Sequence, residues 1–313
     1  MLGLLSGFFK MLVFPGAIFL TICALGANWI DRRLVARLQG RVGPPWYQPL
    51  ADLIKLMAKE DILPSGAHAQ ACAVLPMVSF ASVLTAALSV PLGPYPALSA
   101  FEGDLIVVLF LLSLPALVYF LAGWLSASIF SVVGGNRALL QYFAYEVPFL
   151  MAISSAAIAK GSWSISVIAQ TPATLPWLAI TQPLGLLLAL LGLIGKLKRP
   201  PFDIPKAKSE IGAGPLTEFS GRKLALWHLS IQLKTVVGIF LLVNVYLGGA
   251  AIAPPMLATA LFALKSLLVL AALSTASALY ARLRIDQLAS LGWRVLTPLA
   301  LAQLVAVVWM GVG

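Results

Sequence analysis

The chain has 313 residues, of which 60% are hydrophobic and only 10% charged, with a net charge of +10. Soluble domains carry about a quarter charged residues, so this composition excludes an ordinary soluble domain and points to one solvated by lipid. In a soluble protein the positive balance would suggest nucleic acid; here it follows membrane topology, and nucleic-acid binding has no support.

In chain order, eight apolar runs approach the roughly 20 residues that a bilayer-crossing helix needs. They lie at 8–30, 71–92, 105–132, 138–159, 175–195, 223–248, 255–280 and 291–312. The expectation is an all-α polytopic membrane protein, 1–313 as one integral membrane domain. The first run is too long for a signal h-region and is followed at once by Asp31-Arg32-Arg33, so it reads as a membrane helix rather than a leader. Joining the eight runs by alternate sides puts Arg32, Arg33, Arg37, Arg41, Lys55, Lys59, Arg137, Lys196 and Lys198 on one side. Arg199, Lys206, Lys208, Arg222, Lys223, Arg282, Arg284 and Arg294 join them, and only Lys10 and Lys160 fall on the other. The positive-inside bias then sets both termini outside and makes the long loops, 31–68 and 196–223, cytoplasmic.

The first long loop contains Gly40-Arg-Val-Gly-Pro-Pro-Trp-Tyr-Gln48, which its Gly and Pro positions keep from being helical and which reads as a rigid, aromatic-tipped turn. Pro49 then opens a helix in which Leu50, Leu53, Ile54 and Met57 share one face, with Asp52, Lys55 and Lys59 off it. That pattern predicts an amphipathic helix in the plane of the membrane surface. In the second loop, Asp203 before Pro205 and the breaker Gly212-Ala-Gly-Pro215 predict a short helix over about 204–211. Lys206 is then one turn from Glu210, and Glu218 stands four residues before Arg222, the favourable order for a pair. On the plainest reading these acids and bases satisfy one another at the water boundary. On the functional one they form a platform that docks another subunit and feeds protons or redox-linked charge into the membrane.

Three ionisable residues fall inside the apolar runs. Glu146 is about 12 Å and Lys234 about 18 Å along their helices, and Lys265 is near the middle of its own. A charge at such depth costs at least about 2.5–3.5 kcal/mol, so each needs protein, water or a partner. Depth alone predicts that Glu146 and Lys234 are close. Lys234 has a plain alternative, snorkelling to the interface; the short stem of Glu146 makes this harder. Pro148 frees a helix carbonyl nearby that water could visit. Together with Gln232, Asn244 and Tyr246 these groups argue for an ion path over a passive anchor. Cys23 and Cys72 read as packing residues, His68 and His228 are isolated, and no metal-ligand spacing, phosphate loop or nucleophile–base arrangement stands out. No catalytic residues and no directly bound cofactor are expected.

Six segments resemble a known family: Gln39-Gly-Arg-Val-Gly-Pro, Gln48-Pro-Leu-Ala-Asp-Leu-Ile-Lys-Leu, Lys59-Glu-Asp-Ile, Tyr145-Glu-Val, Arg199-Pro-Pro-Phe-Asp-Ile-Pro and Leu216-Thr-Glu-Phe-Ser-Gly221. They are similar to the signature segments of the H-type (subunit 1) membrane subunit of respiratory complex I. That family includes the equivalent subunit of energy-converting membrane-bound nickel–iron hydrogenases of the formate hydrogenlyase type, and Gly-Pro-Pro-Trp-Tyr-Gln-Pro looks closer to that branch. The resemblance implies a non-redox subunit of an oxidoreductase complex in a prokaryotic cytoplasmic membrane. Hydrogenase-like catalytic subunits carrying nickel–iron and iron–sulfur centres would dock on the cytoplasmic side, with antiporter-like and small membrane subunits alongside.

Carried over by position, Asp52, Glu60, Glu146, Asp203, Glu210 and Glu218 match the family's acids. The docking loops would use Arg41, Trp46, Asp52, Glu60, Arg199, Phe202, Lys206, Lys208 and Arg222. The ion path would use Glu146, Lys234, Lys265, Asp203, Glu210 and Glu218. One departure matters: Pro205-Lys-Ala-Lys208 stands where complex I members show Pro-Glu-Ala-Glu, which puts quinone chemistry in doubt. The alternative remains the quinone-site subunit of NADH:quinone oxidoreductase, favoured if a long apolar cavity opens to the bilayer near Trp46 and Phe202. A stand-alone secondary transporter would need repeats or paired broken helices, neither of which is visible, and the buried charges weigh against a pure scaffold.

Overall fold

The computed structural model describes residues 9, 11–14, 16–170, 178–249 and 254–309, without the side chains of Lys208 and Ser209. Among them regular structure is helical, apart from one isolated bridge between Leu92 and Tyr95. In chain order the helices are α1 (Ala17–Leu38), α2 (Gln48–Ala58), α3 (Ala69–Leu88), α4 (Asp104–Leu125), α5 (Ile129–Lys160), α6 (Ile165–Ala169) and α7 (Leu178–Thr181). Then follow α8 (Pro183–Lys196), α9 (Lys208–Ile211), α10 (Gly221–Tyr246), α11 (Pro255–Leu279), α12 (Ile285–Leu291) and α13 (Thr297–Trp309). Lys10 and residues 171–177 lie outside the described residues.

Among the described residues six helices are long and apolar enough to cross a membrane: α3, α4, α5, α10, α11 and the continuous stretch from α12 to α13. Of the eight expected crossings, two do not qualify. Helix α1 has 22 residues but carries Asp31, Arg32, Arg33 and Arg37 near its end, and α8 has only 14. Sequence reading also misplaced one boundary. The break expected at 133–137 falls at Ser126–Ser128, where Ala127 adopts φ +52°, and α5 runs unbroken for 32 residues. Gly134 and Gly135 are not breakers but contact points: a Cβ on Gly134 would lie 2.8 Å from Gly214, and one on Gly135 3.0 Å from the Phe120 carbonyl. Arg137 is therefore a helix residue and not a loop residue.

Helix α10 is the most enclosed of the six and packs against α1, α2, α3 and α11, while α5 packs against α4, α8 and α13. Between α12 and α13 a π-helical turn spans Gly292–Leu296, just before Pro298, which has no N–H to continue an α ladder. The two long connections meet each other. Ile62 N–H donates to the Ser220 hydroxyl at 2.7 Å and Arg222 N–H donates to the Asp61 carboxylate at 2.8 Å. Gly221, at φ +54°, is pressed against that same carboxylate, which leaves no room for a Cβ.

Candidate functional site

The site is assembled where α8 ends. Its Gly192 and Gly195 lie directly on Phe149 and Tyr145 of α5; a Cβ at either would come within 2.6 Å and 2.8 Å of those rings. This close approach places Lys196, the last residue of α8, on Glu146. The Lys196 ammonium donates to Glu146 Oε1 at 2.7 Å and to Ser113 Oγ at 3.0 Å, and it lies 4.7 Å from the centre of the Phe149 ring. Ser113 itself donates a very short hydrogen bond to the same carboxylate oxygen. Glu146 is 4% and Lys196 2% exposed, so the pair sits away from water. Glu146 Oε2 has no hydrogen-bond partner among the described residues.

The expected pairing of Glu146 with Lys234 is thus replaced by one with Lys196, a residue that sequence reading had set in the loop. Lys234, 5% exposed, is still a neighbour: it lines a small cavity with Lys196, Lys198 and Lys206, and its strongest charge neighbours are Lys196, Glu146 and Lys206. Lys198, held at φ +51°, places its ammonium 3.2 Å from the centroid of the Tyr119 ring, a cation–π contact. Burial pushes the Lys198 ammonium well below the usual lysine range, Lys206 and Lys234 push it further, and Asp203 opposes them. Burial also lowers Lys206, and Asp203 again works the other way. The carbonyl freed by Pro148 belongs to Ala144, and Gly292 packs onto it so closely that no side chain would fit at Gly292.

Other sequence-derived residues are placed differently. Lys265 is not part of this cluster: its ammonium donates to the Leu247 and Gly249 carbonyls at 2.7 and 2.8 Å, closing the end of α10. Glu210 pairs by a very short bond with Arg137 of α5 and not with Lys206, because the expected helix 204–211 forms only as α9, after Pro205. Arg137 holds the Glu210 carboxyl below its usual range, by hydrogen bond and by charge. No ion pair joins Glu218 to Arg222 among the described residues; Glu218 is half-buried, Arg222 exposed. Arg199 is bound to Asp31 of α1 at 2.8 Å, and Ser274 of α11 donates to the same oxygen at 2.6 Å. Asp203 faces Arg282 at 3.4 Å.

In the first loop, Asp52 pairs with Arg32 at 2.9 Å; burial tends to raise its carboxyl, but hydrogen bonds from Arg32 and Gln48 hold it below its usual range. Glu60 and Arg41 are exposed. Trp46 is 73% exposed, and Leu50, Ile54 and Met57 on α2 form an open apolar face. Phe202 is 2% exposed, so it belongs to the core and not to a docking surface. The side chain of Lys208 lies outside those described. Neither Trp46 nor Phe202 lines an apolar cavity of about 330 Å³ that lies between α1, α10 and α11 beside Phe19, Cys23, Phe240 and Phe262. The cavities beside the loops, about 260 and 270 Å³, have charged residues among apolar ones in their walls: Arg32, Asp52 and Lys59 in one, Arg199, Asp203 and Lys206 in the other.

The fold and the site together define a helical membrane protein with two interlocked polar loops and a buried carboxylate–lysine cluster beneath them. The matching family model is that of NADH dehydrogenase, over residues 10–308, and the chain belongs to this family of H-type membrane subunits of complex I-like complexes. It is 34% identical over 304 residues to the H 2 subunit of NADH-quinone oxidoreductase from Syntrophobacter fumaroxidans, covering 90% of this chain and 91% of that one. It is 36% identical over 298 residues to the H subunit of the same enzyme from Thermomicrobium roseum, covering 88% and 87%. A chain in the structure of the membrane-bound sulfane sulfur reductase, an archaeal respiratory membrane complex, superposes with a TM-score of 0.87 at 27% identity, covering 96% of this chain and 99% of that one.

Proposed function

We propose that this chain is the membrane anchor and coupling subunit of a complex I-like energy-converting hydrogenase in a prokaryotic cytoplasmic membrane. Its loops dock hydrogenase-type subunits bearing the nickel–iron and iron–sulfur centres, and its buried cluster links their electron transfer to proton or sodium translocation. In this reading α1 and the α7–α8 pair complete eight crossings, both termini lie outside, and the apolar face of α2 rests on the membrane surface. Antiporter-like and small membrane subunits would extend the ion path laterally.

The observation that carries the choice of branch is the chemistry beside Phe202. A quinone tail requires an apolar route from the bilayer, whereas Phe202 is closed into the core and the neighbouring cavity is lined by Arg199, Asp203 and Lys206. Lys206 stands where quinone-reducing members carry an acid, as the resemblance implies. The sulfane sulfur reductase is named for a different acceptor, so a chain of this shape is not confined to quinone reductases. The quinone-site reading is favoured by the names of the curated relatives, which are NADH-quinone oxidoreductase subunits.

The coupling element would be Glu146 with Lys196, and the relay would pass by Lys234 to Lys198, Lys206 and Asp203. Each is a neighbour of the next, and a charge moved onto one changes the proton affinity of the others. Purifying the intact complex by a tag on this chain tests the branch. Co-purified nickel–iron subunits with hydrogen evolution support it; a quinone-reducing arm without them replaces it with the second reading.

A further inference from the structure

The cavity of about 330 Å³ between α1, α10 and α11 takes no part in the charge cluster, and its surface is almost wholly apolar. Two hydroxyls stand in its wall, those of Thr259 and Ser266. Both are spent within α11, on the carbonyls of Pro255 and Phe262 one turn back, at 2.6 and 2.8 Å. A polar ligand finds no partner there, and apolar cavities stay dry and accept apolar guests.

Shape narrows the guest. Thr259, Ala263 and Leu267, four residues apart on α11, line the cavity and are exposed, so it opens sideways along a membrane helix, toward the acyl chains of the bilayer. Its walls on α1, from Phe19 to Ile30, and on α11, from Thr259 to Leu270, each extend about 16 Å. That is close to half a hydrocarbon core of about 30 Å, the depth of one leaflet. Leu92 and Tyr95, from the connection between α3 and α4, stand at one end and set the leaflet as the one on their side. The volume over that length leaves a cross-section of roughly 20 Å², against roughly 80–110 Å² for a helix 10–12 Å wide. A further helix would have to part three helices that already pack on one another, whereas a single hydrocarbon chain fits between them.

Gly26 is a second, independent sign. It lies within α1, where a glycine costs helix stability, and glycine in membrane helices marks a place of close packing. The other glycines within the described helices are each pressed against protein. Gly26 lines the cavity, and a Cβ there would meet nothing within 4 Å. What packs on it is therefore none of the described residues.

We propose that the cavity holds one acyl chain of a bilayer phospholipid, laid along α1 against Gly26, as a fixed part of the fold. Its inner end meets Ile30 and Leu270. Ile30 adjoins Asp31, which accepts from Arg199, and Leu270 lies one turn before Ser274, which donates to the same carboxylate. The chain thus holds α1 and α11 at the spacing that seats the second loop. The inference rests on the reading in which α1 crosses the membrane, and not on the choice of catalytic module.

The test places the intact complex in proteoliposomes doped with a phosphatidylcholine that carries a diazirine midway along one acyl chain, irradiates them and maps the label by mass spectrometry. Labelling of the cavity walls on α1 and α11 should stand well above that of Ile106 and Phe110 on the exposed face of α4, which meet only passing lipid. Gly26→Leu and Ala263→Leu each set a side chain in place of the guest. Either should lower wall labelling at least about tenfold and leave α4 labelling unchanged. Wall labelling in the wild type no higher than at Ile106 and Phe110 would overturn the proposal, and so would unchanged labelling in both variants. Loss of wall labelling when a little ubiquinone is added would overturn it too, since the guest would then be a quinone. Ile18 and Ile22, on the exposed side of α1, report separately on the helix. Their labelling beside an unlabelled wall sinks the inference alone; no label on either sinks the crossing of α1 and the inference with it.

Discussion

Two lysines that lie beside α10 have contrary fates. The Lys265 ammonium donates to the carbonyls of Leu247 and Gly249, just past the end of α10. That of Lys196 meets a carboxylate with one oxygen still unpartnered, within a group of further lysines. Residue type is the same in both, so it does not tell a structural lysine from one able to move charge. The neighbour decides: backbone carbonyls cannot change protonation, whereas a buried carboxylate and its surrounding ammonium groups can.

The sharpest way to break this contrast is to remove Lys196. Lys196→Met leaves Glu146 buried and unpaired, an effect of about 3–5 kcal/mol, and it should lower the melting temperature of the complex strongly. Adding Glu146→Gln should recover part of the loss, since it removes the stranded charge; a double variant as unstable as the sum of both would contradict the pairing. Lys265→Met should cost less, about 1–3 kcal/mol for the carbonyls left without donors. It should leave ion transport per turnover unchanged, as measured in proteoliposomes of the assembled complex.

Gly221→Ala sharpens a different boundary, that between the two loops. A Cβ there meets the Asp61 carboxylate at a left-handed φ, so the seam should open at a cost of about 1–3 kcal/mol. Limited proteolysis at residues 59–62 would show it. The smallest effect expected is a slope. Burial and its cationic neighbours hold the folded-state Lys198 below the usual lysine range, so above the folded value the unfolded chain binds more protons. Stability should therefore rise with pH from the folded value up to the ordinary lysine value. Lys198→Met should flatten that rise in melting curves taken from about pH 7 to pH 10.

Much of this was legible in the sequence. The helical membrane class followed from apolar runs, α2 from Pro49 and its periodic face, and Glu146 from its depth. Lys196 was missed because it was read as the first residue of a loop. The structure supplies the reason: where the apolar run was read as 175–195, α8 is only 14 residues long, about 21 Å, against a hydrocarbon core of about 30 Å, so its last residue need not reach water. Glu146 and Lys234 were matched by depth alone, which fixes height but not which faces meet. That choice is made by Gly192 and Gly195, whose missing side chains let α8 reach α5. The gap expected at 133–137 is instead a site of close packing, where Gly134 and Gly135 lie against Gly214 and the Phe120 carbonyl. Phe202, taken as a docking aromatic, is core because Arg199 is bound to Asp31 and draws the loop down onto α1.

The central claim is that Glu146, held by Lys196 and Ser113, carries the coupling. The most direct test is uptake of protons or sodium per electron in proteoliposomes of the intact complex, wild type against Glu146→Gln, with assembly verified by subunit composition. The account predicts that electron transfer continues while coupled uptake falls by at least about tenfold, as expected when a relay group loses its exchangeable charge. Wild-type uptake per electron in a normally assembled Glu146→Gln complex would contradict it.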